Sequence, residues 1–203
     1  MKDYSDGPRI ISASSGNGPQ KSTDSSSRRC RREGVGRGNY EPVEEILKRE
    51  GRRFIMIFYF VCTGNTCRSP MAETLFNEKY NDIKEMFHAE SFGLFPDSSV
   101  ANKNSVKVIE ELGHNLLGFT PSSIEDKKPE LYDLILTMTV DQRNYLRAMD
   151  YKNVYTLKEF AGEESFNIED PYGQNIEIYR NVRNEIDSLM ETLYYRLVEW
   201  DQS

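Results

Sequence analysis

Apolar residues first gather at FIMIFYFV, residues 54–61, and from there they return at regular intervals to the end of the chain. That first run is continuous and aromatic, as in a strand covered on both faces. SPMAETLFNEKYND (69–82) reads as a helix. Pro70 follows Ser69 at the favoured first helical position, and Met71, Leu75 and the pair Ala72/Phe76 recur at helical spacing. MFHAESFGLF (86–95) is a short second strand, and SSVANKNSVKVIEELGHN (98–115) a helix carrying Val106, Ile109 and Leu112 on one side and stopped by Gly113. TPSSIEDKKPELYDL holds a short helix or turn, LYDLILTMT (131–139) an interior strand, TVDQRNYLRAMD a helix and NVYTLKEF (153–160) the last strand. A long loop, AGEESFNIEDPYGQN, leads to a terminal helix over 176–200, with Ile178, Val182, Ile186, Leu189, Leu193 and Leu197 at three- and four-residue steps.

Strand and helix alternate four times. That order predicts an α/β fold in three layers, a four-stranded parallel sheet with helices on both faces. Ligands of such sheets sit beyond the carboxyl ends of the strands. The segment VCTGNTCRS, directly after the first strand, falls there.

Residues 1–53 have a different character. Rich in Ser, Gly and Arg, they offer little to build a core and are expected to be a disordered extension, with EPVEEILKRE (41–50) as a short amphipathic helix. The folded domain is expected over 54–203. Charge divides the same way: 12 Lys and Arg against 8 Asp and Glu in 1–53, and a net −11 in the remainder of a chain whose total is −7. An Arg-rich tail can bind nucleic acid or anionic lipid, although a solvated extension is the plainer reading. Because Met56 opens MIFYFVCTGN, residues 1–55 also read as a product of start-codon choice. The acidic domain disfavours nucleic acid and highly acidic substrates.

No apolar leader opens the chain and FIMIFYFV is too short to cross a bilayer. Cys30, Cys62 and Cys67 are too few for a disulfide framework. A reducing, cytoplasmic setting and a monomer are expected. His88 and His114 show no metal-ligand spacing, so neither a zinc site nor any cofactor is expected.

The chemistry concentrates in 62–69. Cys62 ends a buried strand just before a helix N-terminus, where loop N–H groups and the helix dipole hold a thiol as thiolate. Gly64 suggests backbone angles that other residues resist, and Asn65 an amide that ties the loop to itself or accepts a left-handed turn. Arg68, six residues after Cys62, can fold back so that its fork and the loop amides of Thr63, Gly64, Asn65, Thr66 and Cys67 ring one anion above the sulfur. Ser69 is placed to give its hydroxyl to the thiolate. A thiolate nucleophile also needs an acid for the leaving group. Asp170 in EDPYG lies on the loop after the last strand, at the same sheet edge, where Pro171 stiffens it and Tyr172 can form a wall. Alone, an Asp-Pro is a turn; beside a loop that lacks an acid it is a candidate. Glu163, Glu164 and Glu169 compete, Glu169 ranking second and expected to be solvated.

VCTGNTCRSPMAE and DPYG, with the strand and helix order of 56–200, resemble the low-molecular-weight protein-tyrosine-phosphatase family. The resemblance implies that Cys62 attacks phosphorus, Arg68 binds the phosphoryl group, and Asp170 serves as acid and then base. Thr66, where phosphotyrosine-specific members usually carry an aliphatic residue, and Gly173 after Tyr172, where they tend to carry a second aromatic, resemble instead the bacterial protein-arginine-phosphatase branch. There the threonine is associated with choosing phosphoarginine. Thr66 and Tyr172 are therefore the expected specificity residues and phosphorylated proteins the substrates. Cys67 is a further candidate, able to trap oxidised Cys62 as a disulfide, or else a small buried side chain.

Three other functions compete. A protein-tyrosine phosphatase of the same fold and mechanism stays open, since Tyr172 can stack on a tyrosine ring. Arsenate reductases of related architecture relay electrons through further cysteines, and residues after Arg68 contain none. A module that merely binds phosphoproteins needs neither a nucleophile nor an acid.

Overall fold

A computed structural model describes residues 56–81 and 87–201. The expected extension 1–53 and its helix at 41–50 lie outside the described residues. Four strands form one sheet in the order β2-β1-β3-β4, every neighbouring pair parallel. β1 (Met56–Cys62) pairs along its whole length with β2 (Phe87–Gly93), in a register that sets Cys62 opposite Gly93. Its other edge pairs with β3 (Ile135–Thr137), which in turn pairs with β4 (Val154–Thr156). The chain leaves β1 to one side for β2 and returns to the other for β3. The sheet therefore has its switch point at the carboxyl end of β1, where a crevice opens.

The pleat of β1 divides the core in two. Phe58, Phe60 and Cys62 join one apolar cluster and Tyr59 and Val61 the other, so the continuous run at 54–61 reads as apolar because both faces are covered. On the first face lie α1 (Arg68–Lys79), α2 (Lys103–Glu110), α5 (Leu157–Ala161) and α6 (Ile176–Asp201), packed on one another. Tyr179, Val182, Ile186, Leu189, Met190, Leu193 and Leu197 form the buried side of α6; Ile178 is only half-buried. On the other face, α3 (Ile124–Lys127) packs on β2 and α4 (Val140–Ala148) on β3 and β4. Among the described residues no helix is long and apolar enough to cross a membrane.

Three elements depart from the expected pattern, and the first is the strand expected over 131–139, which is confined to β3 at Ile135–Thr137. The last strand stops at Thr156, because Thr156 and Glu159 make a reciprocal capping box that starts α5 inside the stretch expected to continue as strand. The helix expected over 98–115 begins at Lys103, where the Asn102 side chain caps the Asn104 N–H. Its core side uses Val108 with Ile109, whereas Leu112 is 41% exposed. Gly113 does end the following turn in the left-handed region, at φ 82°.

Phe60 is wholly buried two residues before the loop. Phe60→Ala is expected to lower the unfolding free energy by about 3–5 kcal/mol, measured by urea denaturation; a loss below about 1 kcal/mol would contradict this packing.

Candidate active site

The loop between β1 and α1 is fixed from several sides. The Val61 carbonyl accepts from Met138 N–H (3.0 Å), that of Cys62 from Leu94 N–H (3.1 Å), that of Thr63 from Phe95 N–H (2.8 Å) and that of Thr66 from Asn102 N–H (2.9 Å). Gln142 Nε2 donates to Thr63 Oγ1 at 3.1 Å. Cys62, Asn65, Thr66, Cys67, Arg68 and Ser69 are all buried. No side chain caps the N-terminus of α1, and its first turn carries no acidic residue. A helix start without such partners, at the bottom of a buried loop, is a ready anion site.

Asn65 organises this loop. It sits in the left-handed region at φ 53°, and its Nδ2 donates to Ser69 Oγ (2.9 Å) and to Ser91 Oγ (2.8 Å). Its Oδ1 accepts from the Ser122 N–H at 2.9 Å. Because Ser69 Oγ accepts from Asn65, its own hydrogen is free for the Cys62 sulfur, 3.0 Å away. The sequence expectations for Asn65 and Ser69 hold; Ser91 and Ser122 were not anticipated.

The expectation for Gly64 does not hold. The left-handed residue is Asn65, and Gly64 is absent from the positive-φ residues among those described. A glycine is needed instead at Gly93, where a Cβ would come within 2.9 Å of the Thr63 oxygen and 3.0 Å of the Asn65 nitrogen. The hint in the sequence was a lone glycine at a strand end, which often marks close backbone approach.

Asp170 reaches the loop from the segment after α5. The Ile168 N–H bonds the Met138 carbonyl at 2.9 Å, and the Ile168 side chain is buried in the core. From that anchor Asp170 Oδ2 meets Arg68 Nη2 at 2.6 Å, while Arg68 Nη1 donates to the Ile168 carbonyl at 3.2 Å. Asp170 Oδ1 accepts the Tyr172 N–H (3.1 Å), closing a local turn. The side chain of Asp170 is half exposed, at 52%, and that of Arg68 only 4%. Arg68 Nε is buried without a partner among the described residues. Glu163, Glu164 and Glu169 are exposed, and Glu169 accepts from Gln174 Nε2.

Cys67 Sγ lies 3.5 Å from both Thr66 Oγ1 and the Tyr179 hydroxyl. Burial pushes the Cys67 thiol up, more than these hydrogen bonds lower it. Both Cys62 and Cys67 are free thiols. Tyr172 is 70% exposed. Phe95 and Tyr145, also exposed and not anticipated, pair edge to face at 5.4 Å. Phe95 is tied to the loop through the Thr63 carbonyl, and Tyr145 follows Gln142 by one helical turn.

Comparison with known proteins gives the family of the chain. The family described as low molecular weight phosphotyrosine protein phosphatase matches residues 57–202. A protein-arginine-phosphatase of Bacillus subtilis is 34% identical over 146 residues, 70% of this chain and 97% of that one. The low molecular weight protein-tyrosine-phosphatase PtpB of Staphylococcus haemolyticus is 38% identical over 130 residues, 63% of this chain and 89% of that one. Among solved structures, a mutant of the YwlE arginine phosphatase with a phosphorylated active-site serine superposes with a TM-score of 0.63 at 32% identity, covering 70% of this chain and 95% of that one.

Gly93→Ala is expected to push the Thr63–Asn65 backbone out of place and to weaken binding of inorganic phosphate by about tenfold or more, as sub-ångström misplacement does in preorganised sites. Protection of Cys62 from iodoacetate by phosphate reads this directly; unchanged protection would refute the close approach.

Proposed function

We propose that this chain, which belongs to the low-molecular-weight phosphotyrosine protein phosphatase family, hydrolyses phosphoarginine in proteins. The observation that carries the phosphoryl chemistry is the Arg68 guanidinium: buried, with two nitrogens occupied and Nε left without an acceptor. A buried donor without a partner costs about 1–3 kcal/mol, and a phosphoryl oxygen seated in the loop supplies the missing acceptor. The choice of arginine is supported by Thr66, a small polar side chain beside the sulfur loop, and by the similarity to protein-arginine-phosphatases.

The reaction runs in two steps. The Cys62 thiolate, which accepts the Ser69 hydroxyl hydrogen, attacks phosphorus in line. The P–N bond breaks, its electron pair goes to nitrogen, and Asp170 delivers the proton that lets guanidine depart. Loop N–H groups of Thr63 to Ser69 and the Arg68 guanidinium hold the charge on the equatorial oxygens. Asp170, now a carboxylate, takes a proton from water as that water displaces the cysteine sulfur and releases phosphate. The reaction needs no metal. In this reading the enzyme acts as a cytoplasmic monomer on phosphorylated proteins.

A second reading, phosphotyrosine hydrolysis by the same mechanism, draws on the exposed Tyr172 ring and the nearby Phe95–Tyr145 pair, which could stack an aryl group, and on the similarity to PtpB. A binding module is disfavoured, since it would require neither the thiol of Cys62 nor the carboxyl of Asp170.

The test is kcat/KM of the full chain on matched phosphoarginine and phosphotyrosine peptides. A phosphoarginine preference is expected; a phosphotyrosine preference would discard that assignment and keep the mechanism. Cys62→Ser is expected to abolish turnover, and Asp170→Ala to slow it by about 10²–10⁴-fold. Near-normal turnover by either variant would overturn these roles. In the redox role, peroxide converts Cys62 to a sulfenic acid, which condenses with the Cys67 thiol and loses water. Dithiothreitol should then restore activity to the peroxide-treated enzyme but not to Cys67→Ser; equal recovery of both would remove Cys67 from that role.

A further inference from the structure

Neither backbone angle nor crowding requires a glycine at position 64: its backbone is not left-handed, and a Cβ built on it meets only ordinary contacts. Those contacts are informative. They are Thr66 Oγ1 at 3.6 Å and Asp97 Oδ1 at 3.8 Å. Two oxygens from different segments therefore face one open spot on the rim of the loop. The segment bearing Asp97 is not a loose excursion. Leu94, Phe95 and Asn102 tie it by backbone hydrogen bonds to Cys62, Thr63 and Thr66, before and after Asp97, and Pro96 stiffens the residue next to it. Asp97 is exposed and has no hydrogen-bond or ion-pair partner among the described residues.

A lone carboxylate at this position works against a phosphate dianion approaching the loop. It suits a substrate that carries a cation one bond from phosphorus. We infer that Asp97 is a specificity-determining residue that accepts an N–H of the guanidinium joined to the phosphoryl group, with Thr66 Oγ1 on the same side and Asp170 serving the departing nitrogen. The inference rests on the phosphoarginine reading and adds to it the residue that recognises the cation. Guanidinium N–H groups diverge in a plane, so one can meet a carboxylate while another faces the acid. A phosphotyrosine ring offers no donor there. Gly64, lacking a side chain, keeps the spot open for the guanidinium.

The experiment compares the full wild-type chain with Asp97→Asn and Asp97→Ala on matched phosphoarginine and phosphotyrosine peptides at low and high salt. The preference for phosphoarginine is expected to fall by about tenfold in both variants, the size of one lost charge-assisted hydrogen bond that is partly solvated. Phosphotyrosine turnover should rise, because a negative charge has left the path of a dianion, and the change should shrink at high salt. Gly64→Ala, which places a methyl group between the two oxygens, should move the ratio the same way. A ratio unchanged from wild type, or an equal fall on both peptides, would overturn the role of Asp97. The wild-type ratio tests the phosphoarginine reading separately: a preference for phosphotyrosine sinks that reading, whereas a phosphoarginine preference that survives Asp97→Asn sinks only this inference.

Discussion

The buried amide of Asn65 is the constraint on which the rest of the site depends. One side chain joins the helix through Ser69, the second strand through Ser91 and the segment before α3 through Ser122. Three of its four hydrogen-bonding positions are filled by these contacts. In a fully buried setting such a network is stiff, because every broken bond would leave a polar group without water. The network also fixes direction. Asn65 must donate both amide hydrogens, so Ser69 must turn its own hydrogen to the Cys62 sulfur. The hydrogen bond to the Cys62 sulfur is thus set by an amide that never touches it. The left-handed backbone at Asn65 costs little for this residue type and bends the loop so that its N–H groups can gather around one point.

Much of this was legible in the residues. The unbroken run at 54–61, the Ser-Pro at the start of α1 and the steps of Ile186, Leu189, Leu193 and Leu197 follow directly from burial and helical period. They yielded the four-stranded parallel sheet and the position of the loop at its edge. Cys62 with Ser69, and Arg68 with Asp170, were expected to lie together because a strand end, a loop suited to an anion and the want of an acid pointed to them, and the structure brings each pair into contact. What stayed hidden depends on pairs of segments distant in sequence. Ser91, Ser122 and Gly93 matter only because β2 and the segment before α3 come to lie against the loop, and no local pattern states which strand ends are neighbours. Gly64 was misjudged for the same reason: a glycine inside a motif suggests unusual angles, whereas the crowding fell on a glycine of the neighbouring strand. The start of α5 was legible and missed, since Thr-x-x-Glu at 156–159 is a capping box in the sequence itself.

The Arg68–Asp170 pair links the loop to the segment after α5. Asp170 is half exposed and Arg68 buried, so the pair lies on the boundary between core and solvent. Its isolated contribution to stability is small, because the exposed partner is screened by water. Its consequence is positional. Ile168, anchored in the core and bonded to Met138, brings the carboxylate to the guanidinium, and Arg68 also donates to the carbonyl of Ile168. The residue that would grip the phosphoryl group and the residue that would protonate the leaving group are therefore held by the same few bonds. Displacing either one moves the other.

The charge of the domain sharpens this picture. Residues 54–203 carry a net −11, so the long-range field repels a dianion and cannot be what draws a phosphate in. Attraction must come from close groups: backbone N–H donors at the start of α1 and the Arg68 guanidinium, acting where water is largely excluded and local interactions are strong. The same acidic field favours the cationic surroundings of an arginine side chain. In the proposed reading, a phosphoryl group joined to a guanidinium has its anion held by the loop and its cation favoured by the net negative charge of the domain. A phosphoryl group on an aryl oxygen has only the loop to recommend it, unless neighbouring basic residues of its protein supply the charge. In the proposed reading, selection between the two substrates turns on where the positive charge lies relative to phosphorus, and Thr66, Asp97 and Asp170 are the oxygen acceptors that would meet it.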